Sequence, residues 1–180
     1  MVVSVVKHNA LISMGDYPFA DSVKKEFLFL FKNGVKHIAK DKTNVSSYIH
    51  TPFDWEEDNI IFRNLKSYIQ NEIEKVYKPC DNSNGSRRRI KSKNFWGMSY
   101  KKGDYARRHN HYGDFSFLYF VKGKWFHSPL GFSDTGKRIR PKEGRYVIFP
   151  AYMYHHVPTH RYNDTRMTIS GNFQLEDIEE

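Results

Sequence analysis

Apolar residues recur along this chain with two periods, a helical one in its first part and a strand-like one in its last. Residues 2 to 14 alternate weakly and predict an outer strand that ends at Gly15-Asp16-Tyr17-Pro18. Val23, Phe27, Leu30 and Phe31 then share one helical face, with Asp21 or Ser22 as the cap and Asn33-Gly34 as the stop. From Val35 to His50 the pattern is indistinct, apart from a turn signal at Asp41-Lys42-Thr43-Asn44. Pro52-Phe53-Asp54 introduces the clearest helix. Asp54 is its predicted N-cap, and Glu56, Glu57 and Asp58 lie in the first turn, where the helix dipole favours acids. Ile60, Ile61, Leu65, Ile69, Ile73 and Val76 line its apolar face.

Residues 78–93 combine Pro, Gly, Asn and Ser with the basic run Arg87 to Lys93, which predicts a loop or flexible insertion. Beyond it the period becomes two. Phe95 to Tyr100, the aromatic run Phe115 to Val121, Tyr146 to Pro150 and Arg166 to Ser170 are separated by glycine and proline turns. Short strands at this spacing predict an antiparallel sandwich or barrel. The chain therefore reads as one domain, mainly β with supporting helices (α+β). Residues 1–77 brace it, 78–93 form a basic loop, and 94–175 form the barrel core. A length of 180 residues is enough to bury such a core without disulfides.

Composition narrows the function classes. The single cysteine, Cys80, excludes an internal disulfide, and nothing argues for an oxidising compartment. The start, MVVSVV, is too short for a signal-peptide core, and no apolar run approaches membrane-spanning length. These features predict a soluble cytoplasmic protein with no membrane partner. A net charge of +9 permits attraction to nucleic acid, with cations clustered at Arg87 to Lys93, Lys101-Lys102, Arg107-Arg108 and Lys137 to Arg140. Each cluster reads equally as a solvated loop.

The candidate chemistry lies in the last third. His109 and His111 are spaced so that, on a strand, both imidazoles share a face and form a chelating pair. His155, after the apolar segment Tyr146 to Pro150, supplies a third donor; adjacent His156 is its rival, because alternation lets only one of the two face inward. Three neutral nitrogens suit first-row metals such as Fe, Zn, Cu or Ni. Arg166, Thr168 and Ser170 alternate to one side of a strand. There a guanidinium fork beside two hydroxyls makes a carboxylate seat, unless Arg166 is a surface residue paired with Asp164 or Glu176. His127, after Trp125-Phe126, reads as a surface residue or as one facing the substrate entrance, and His8, His37, His50 and His160 carry no convincing spacing.

The linked order Trp96…Tyr100-x-x-Gly103-Asp104-Tyr105…His109-x-His111…Ser116-x-x-Tyr119, then Gly144…Phe149-Pro150…His155-x-Val157, then Arg166-x-Thr168-x-Ser170-x-Asn172, resembles the small bacterial and phage 2-oxoglutarate/Fe(II) oxygenases of the prolyl-hydroxylase-like superfamily. The likeness covers roughly residues 94 to 173, about half of the chain. It implies a double-stranded β-helix, a jelly-roll or cupin-like barrel. It also implies Fe(II) held by His109, His111 and His155, with Arg166, Thr168 and Ser170 on the far carboxylate of 2-oxoglutarate. Tyr100 and Tyr119 would line the pocket, alongside Trp96 and Tyr105. The implied activity is a hydroxylase that uses O2 and releases succinate and CO2, with ascorbate as a candidate reductant. Its host would be a bacterium or a phage-infected cell, and its substrate a prolyl or other protein side chain, a small metabolite or a nucleic acid.

Two departures bear on that expectation. The superfamily's more common His-x-Asp or His-x-Glu is here His-x-His, which leaves the metal site one negative charge short. Asp114 is a substitute carboxylate if Gly113 lets the strand bulge inward. Gly171 stands where relatives carry a bulky apolar residue, which would widen the pocket floor. The competing reading is a cupin-like three-His protein that uses another metal without 2-oxoglutarate, or a barrel that only binds ligand. The position of Arg166, inside the barrel or outside it, discriminates between them.

Overall fold

The computed structural model describes residues 2–6, 10–33, 36–37, 47–50, 59–76 and 88–178. Within them, twelve strands and two helices form a helix-braced pair of sheets. The strands are β1 (Val2–Val6), β2 (Ala10–Asp16), β3 (Lys36–His37), β4 (Ser47–His50), β5 (Arg88–Tyr100), β6 (Ala106–His109), β7 (Phe115–Lys122), β8 (Leu130–Phe132), β9 (Arg138–Ile139), β10 (Arg145–Pro150), β11 (His155–Val157) and β12 (Arg166–Asp177). The larger sheet runs β1-β2-β10-β7-β12-β5-β4-β3 and the smaller β6-β11-β8-β9, with antiparallel pairing throughout. This is the expected double-stranded β-helix. No helix among the described residues is long and apolar enough to cross a membrane.

Helix α1 (Ala20–Asn33) buries Val23, Phe27 and Phe31 as its spacing predicts. It starts ahead of both predicted caps, and the Ser22 hydroxyl donates back to the Phe19 carbonyl at 2.8 Å. Helix α2 (Ile60–Val76) is capped by Asn59, whose side-chain oxygen accepts from Phe62 N–H at 3.0 Å. Asp54, the predicted cap, and the acids Glu56 to Asp58 of the predicted first turn lie outside the described residues. The buried face of α2 is Phe62, Leu65, Ile69, Glu72 and Ile73, while Ile60 is exposed.

Both helices cover the outer face of the larger sheet, where Phe95, Phe117, Tyr119, Tyr146, Ile148, Ile169 and Phe173 meet them in one apolar cluster. Covered on both faces, β7 and β10 read as nearly continuous apolar runs, the usual mark of a doubly buried strand. Residues 88–93, predicted as part of a loop, are instead the first half of β5. There Arg88 pairs with Asp177 and both Arg89 and Lys91 pair with Glu176, because the acidic end of β12 runs alongside. Residues 78–87, with Cys80 and Arg87, lie outside the described residues.

Candidate metal centre and anion seat

The inner face of the larger sheet is apolar at its sides and polar along one strand. Ile12, Leu118, Phe120, Val147 and Phe149 form one inner cluster with residues of the smaller sheet, and Trp96, Met98, Tyr100, Ala106 and Val157 form another. β12 runs between β5 and β7. It turns Met167, Ile169 and Phe173 to the helices, while Arg166, Thr168, Ser170 and Asn172 occupy the alternate positions, all buried. A polar stripe on a central buried strand inverts the ordinary pattern, in which the polar side of a strand faces water.

The three predicted histidines come together. One ligand nitrogen from each of His109, His111 and His155 lies within 4.8 Å of the others. His155 reaches the pair because β11 runs antiparallel to β6 with His155 directly opposite His109. The face shared by His109 and His111 is not a strand pleat, however. β6 ends at His109, and His111 is set by the following loop, where its N–H donates to the Ala151 carbonyl at 3.0 Å.

Backbone carbonyls choose the tautomers. His109 Nδ1 lies 2.7 Å from Arg107 O, and His155 Nδ1 lies 2.9 Å from Met153 O. A carbonyl can only accept, so each Nδ1 carries the proton and each Nε2 keeps the lone pair that a metal needs. Trp96 packs on His111 and Phe149 on His155, with ring centroids 5.1 and 4.9 Å apart. The donor set fits a first-row divalent metal.

Asp114 does not substitute as a ligand. Its N–H donates to Phe173 O at 3.0 Å, and its carboxylate accepts from Leu175 N–H at 2.8 Å. The predicted inward bulge is therefore taken up in pinning the 110–114 loop to β12, with Gly113 supplying a φ of 120°. His156, the rival of His155, lies against Gly131 and Ser133 instead of joining the metal group. Gly171 needs correction as well. A Cβ there would meet the Phe95 ring at 2.4 Å, so its missing side chain makes room for helix-side packing and does not widen the pocket.

Arg166 lies inside the barrel and is fully buried. Its guanidinium sits between the rings of Tyr100 and Phe120, at 4.7 and 5.1 Å from their centroids. Among the described residues, none of its three side-chain nitrogens has a hydrogen-bond partner, and neither does the buried Thr168 hydroxyl. The carboxylates that could have claimed it from outside are committed elsewhere: Asp164 to Lys122 and Lys124, Glu176 to Arg89 and Lys91. Burial pushes the Arg166 pKa down, with Tyr100 opposing the shift, and a guanidinium remains a cation even so. A dry, unpaired cation beside an unpaired hydroxyl is the complement of a carboxylate.

Tyr100, Ser170, Trp96, Leu118 and Val157 line one cleft with the three histidines, so Tyr100 touches both the cleft and the guanidinium. Tyr119 is not brought to the site. It faces the helices, with Tyr17 and Phe27 at 6.0 and 5.8 Å, and its burial pushes the phenol pKa well up. Its neighbours Leu118 and Phe120 face the barrel instead. Tyr105 is half-buried near Arg107. His127, read as a surface or entrance residue, and His160, which carried no spacing signal, are both fully buried.

No protein-family model and no curated protein matches the sequence. Solved structures do. A collagen prolyl hydroxylase of Paramecium bursaria Chlorella virus-1, in its 2OG complex, superposes with a TM-score of 0.66 at 14% identity, covering 93% of this chain and 96% of that one. A Pseudomonas putida prolyl-4-hydroxylase gives 0.61 at 14%, covering 91% of each chain. An oxidoreductase of the 2OG-Fe(II) oxygenase family from Burkholderia pseudomallei gives 0.66 at 12%, covering 91% of this chain and 84% of that one. At such identities the likeness gives the fold, that of the prolyl-hydroxylase-like oxygenases. It extends through the first half of the chain, where no sequence motif pointed.

Proposed function

We propose that this chain is an Fe(II)- and 2-oxoglutarate-dependent dioxygenase that hydroxylates a C–H bond, using O2 and releasing succinate and CO2. The observation that carries the reading is one barrel holding both a three-nitrogen metal group and a fully buried guanidinium that has no hydrogen-bond partner among the described residues. A cupin-like site without 2-oxoglutarate has no use for such a cation, and leaving it unpaired is costly.

In this reading His109, His111 and His155 hold the metal, and Arg166 with Thr168 holds the far carboxylate. Ser170 and Tyr100 form the wall between. When bound, iron and 2-oxoglutarate supply the oxidation, while the protein binds, orients and excludes water. The apolar lining from Trp96, Leu118, Phe149 and Val157 serves that exclusion. Three neutral ligands would leave the metal's charge for an anionic cosubstrate to balance, and Arg166 makes the cavity more receptive to a dianion.

A prolyl-type protein side chain is the substrate class favoured by the structural neighbours. A nucleic-acid substrate would need a continuous basic strip beside the metal; among the described residues Arg88, Arg89 and Lys91 pair with acids of β12 and Arg108 pairs with Asp134, which favours the protein side chain over it.

The test is an anaerobic titration of metal-free protein, first with Fe(II) and then with 2-oxoglutarate, read by the weak visible charge-transfer band of the chelated cosubstrate. The band is expected in the natural protein and absent in His155→Ala. In Arg166→Ala it should need far more 2-oxoglutarate. Tight metal binding with no band would sink the reading in favour of the cupin-like alternative.

A further inference from the structure

Among the described residues, the buried side-chain atoms without a hydrogen-bond partner belong to Ser13, His127, His160, Arg166 and Thr168. The seat proposed above explains Arg166 and Thr168 and leaves the two histidines over. His127 lies in a turn that follows β7, where its N–H donates to Lys124 O at 2.9 Å. Lys122 and Lys124 both reach the Asp164 carboxylate, at 2.7 and 3.0 Å, just ahead of Arg166. These two ion pairs clamp the turn over the start of β12 and leave His127 Nε2 3.8 Å from the carboxylate of Asp164, two residues ahead of Arg166.

The partners define the protons. Lys124 N–H donates to His127 Nδ1 at 3.3 Å, so Nδ1 holds a lone pair and the ring proton is on Nε2. That Nε2–H is buried without an acceptor, since Asp164 Oδ2, at 3.8 Å, is beyond hydrogen-bonding distance. His160 has the opposite arrangement: its Nε2 donates to Asp164 O at 2.7 Å, which makes its partnerless Nδ1 an acceptor. The two rings meet edge to face, with centroids 4.9 Å apart. Burial, followed by the influence of His160, pushes the His127 pKa down, so the ring is a neutral donor at neutral pH.

We infer that His127 is a third donor to the carboxylate seated on Arg166 and Thr168, and thus a cosubstrate-binding residue. This rests on the 2-oxoglutarate reading. A carboxylate offers about four lone-pair sites. The Arg166 fork fills two, the Thr168 hydroxyl one, and His127 Nε2–H the last. Of the two rings on the guanidinium, Phe120 has no polar atom to offer and the Tyr100 hydroxyl donates to Met98 Sδ at 3.4 Å, which leaves the clamped turn as the nearby source of a free donor. Because His127 is neutral, it completes the seat without repelling Arg166. The rival account is a trapped water joining His127 Nε2–H to His160 Nδ1.

Anaerobic calorimetry of the Fe(II)-loaded protein with 2-oxoglutarate separates the two. In His127→Phe the affinity is expected to fall about tenfold or more, as for a lost hydrogen bond to a charged group, with Fe(II) affinity unchanged. His127→Gln, which keeps an N–H donor, should recover most of the loss. Should His127→Phe not fold, histidine-15N spectra of the natural protein loaded with Zn(II) give the same answer. The His127 Nε2–H resonance is expected to shift when 2-oxoglutarate is added. Natural affinity in His127→Phe with only a lower Tm, or an unmoved resonance, would overturn the inference in favour of the water, while Arg166→Met still loses binding. Failure of the natural protein to bind 2-oxoglutarate would instead overturn the underlying reading, and this inference with it.

Discussion

Glu72 and Arg166 are both buried charges, and the chain treats them in opposite ways. Glu72, on the helix side of the larger sheet, accepts from the Tyr146 hydroxyl and from Lys75, both at 2.6 Å. Burial raises its pKa, but Lys75 and Tyr146 outweigh that and hold it below the usual carboxylate range. Arg166, on the barrel side of the same sheet, has the rings of Tyr100 and Phe120 against it and no hydrogen-bond acceptor among the described residues. A charge that supports the fold is satisfied by the chain itself. A charge left without a hydrogen-bond partner at the same depth is, in the proposed reading, the seat of the cosubstrate.

The sharpest way to break this contrast is Arg166→Met. Without cosubstrate the variant should melt at the same temperature or higher, because an uncompensated buried charge has been removed. Its 2-oxoglutarate affinity should fall about a hundredfold or more. A collapse in Tm with affinity retained would make Arg166 a structural residue and end the comparison. Tyr146→Phe should do the reverse. It removes a close donor from Glu72 and is expected to cost about 1.5–3 kcal/mol in urea unfolding, with 2-oxoglutarate affinity unchanged.

The smallest effect lies in acid. The folded pKa of Glu72 is depressed, so its contribution to stability is complete above the unfolded-state value and is lost as pH falls through the folded one. Unfolding free energy in the natural protein should therefore drop more steeply through that acid window than in Glu72→Gln. Parallel curves would mean that Glu72 is not a stabilising charge.

Much of the site was legible because its residues stand close along the chain or alternate with apolar ones. The period of two on β12 marked Arg166, Thr168 and Ser170 as one face, and His-x-His marked a chelating pair. The resemblance implied Tyr119 in the pocket, and the structure turns it to the helices instead. β7 is apolar on both faces, so its pattern holds no contrast to say whether the odd or the even positions look into the barrel. The basic run at 88–93 looked like a loop for a related reason. Its polarity is neutralised by Glu176 and Asp177, far along the chain, which only β5–β12 pairing brings alongside.

What the sequence by itself determined was relative: which side chains share a face, which helices are amphipathic, and which residue types can hold a metal or a carboxylate. Only the tertiary structure decided which face is inside. It turned the polar stripe of β12 inward, against the ordinary rule, and set His155 opposite His109. It also closed a turn over His127, which local pattern had assigned to the surface. The physical reason is that side-chain periodicity is a property of one strand, whereas burial is a property of what packs on it. The sheet partners and helices that cover β12 on both faces come from every part of the chain.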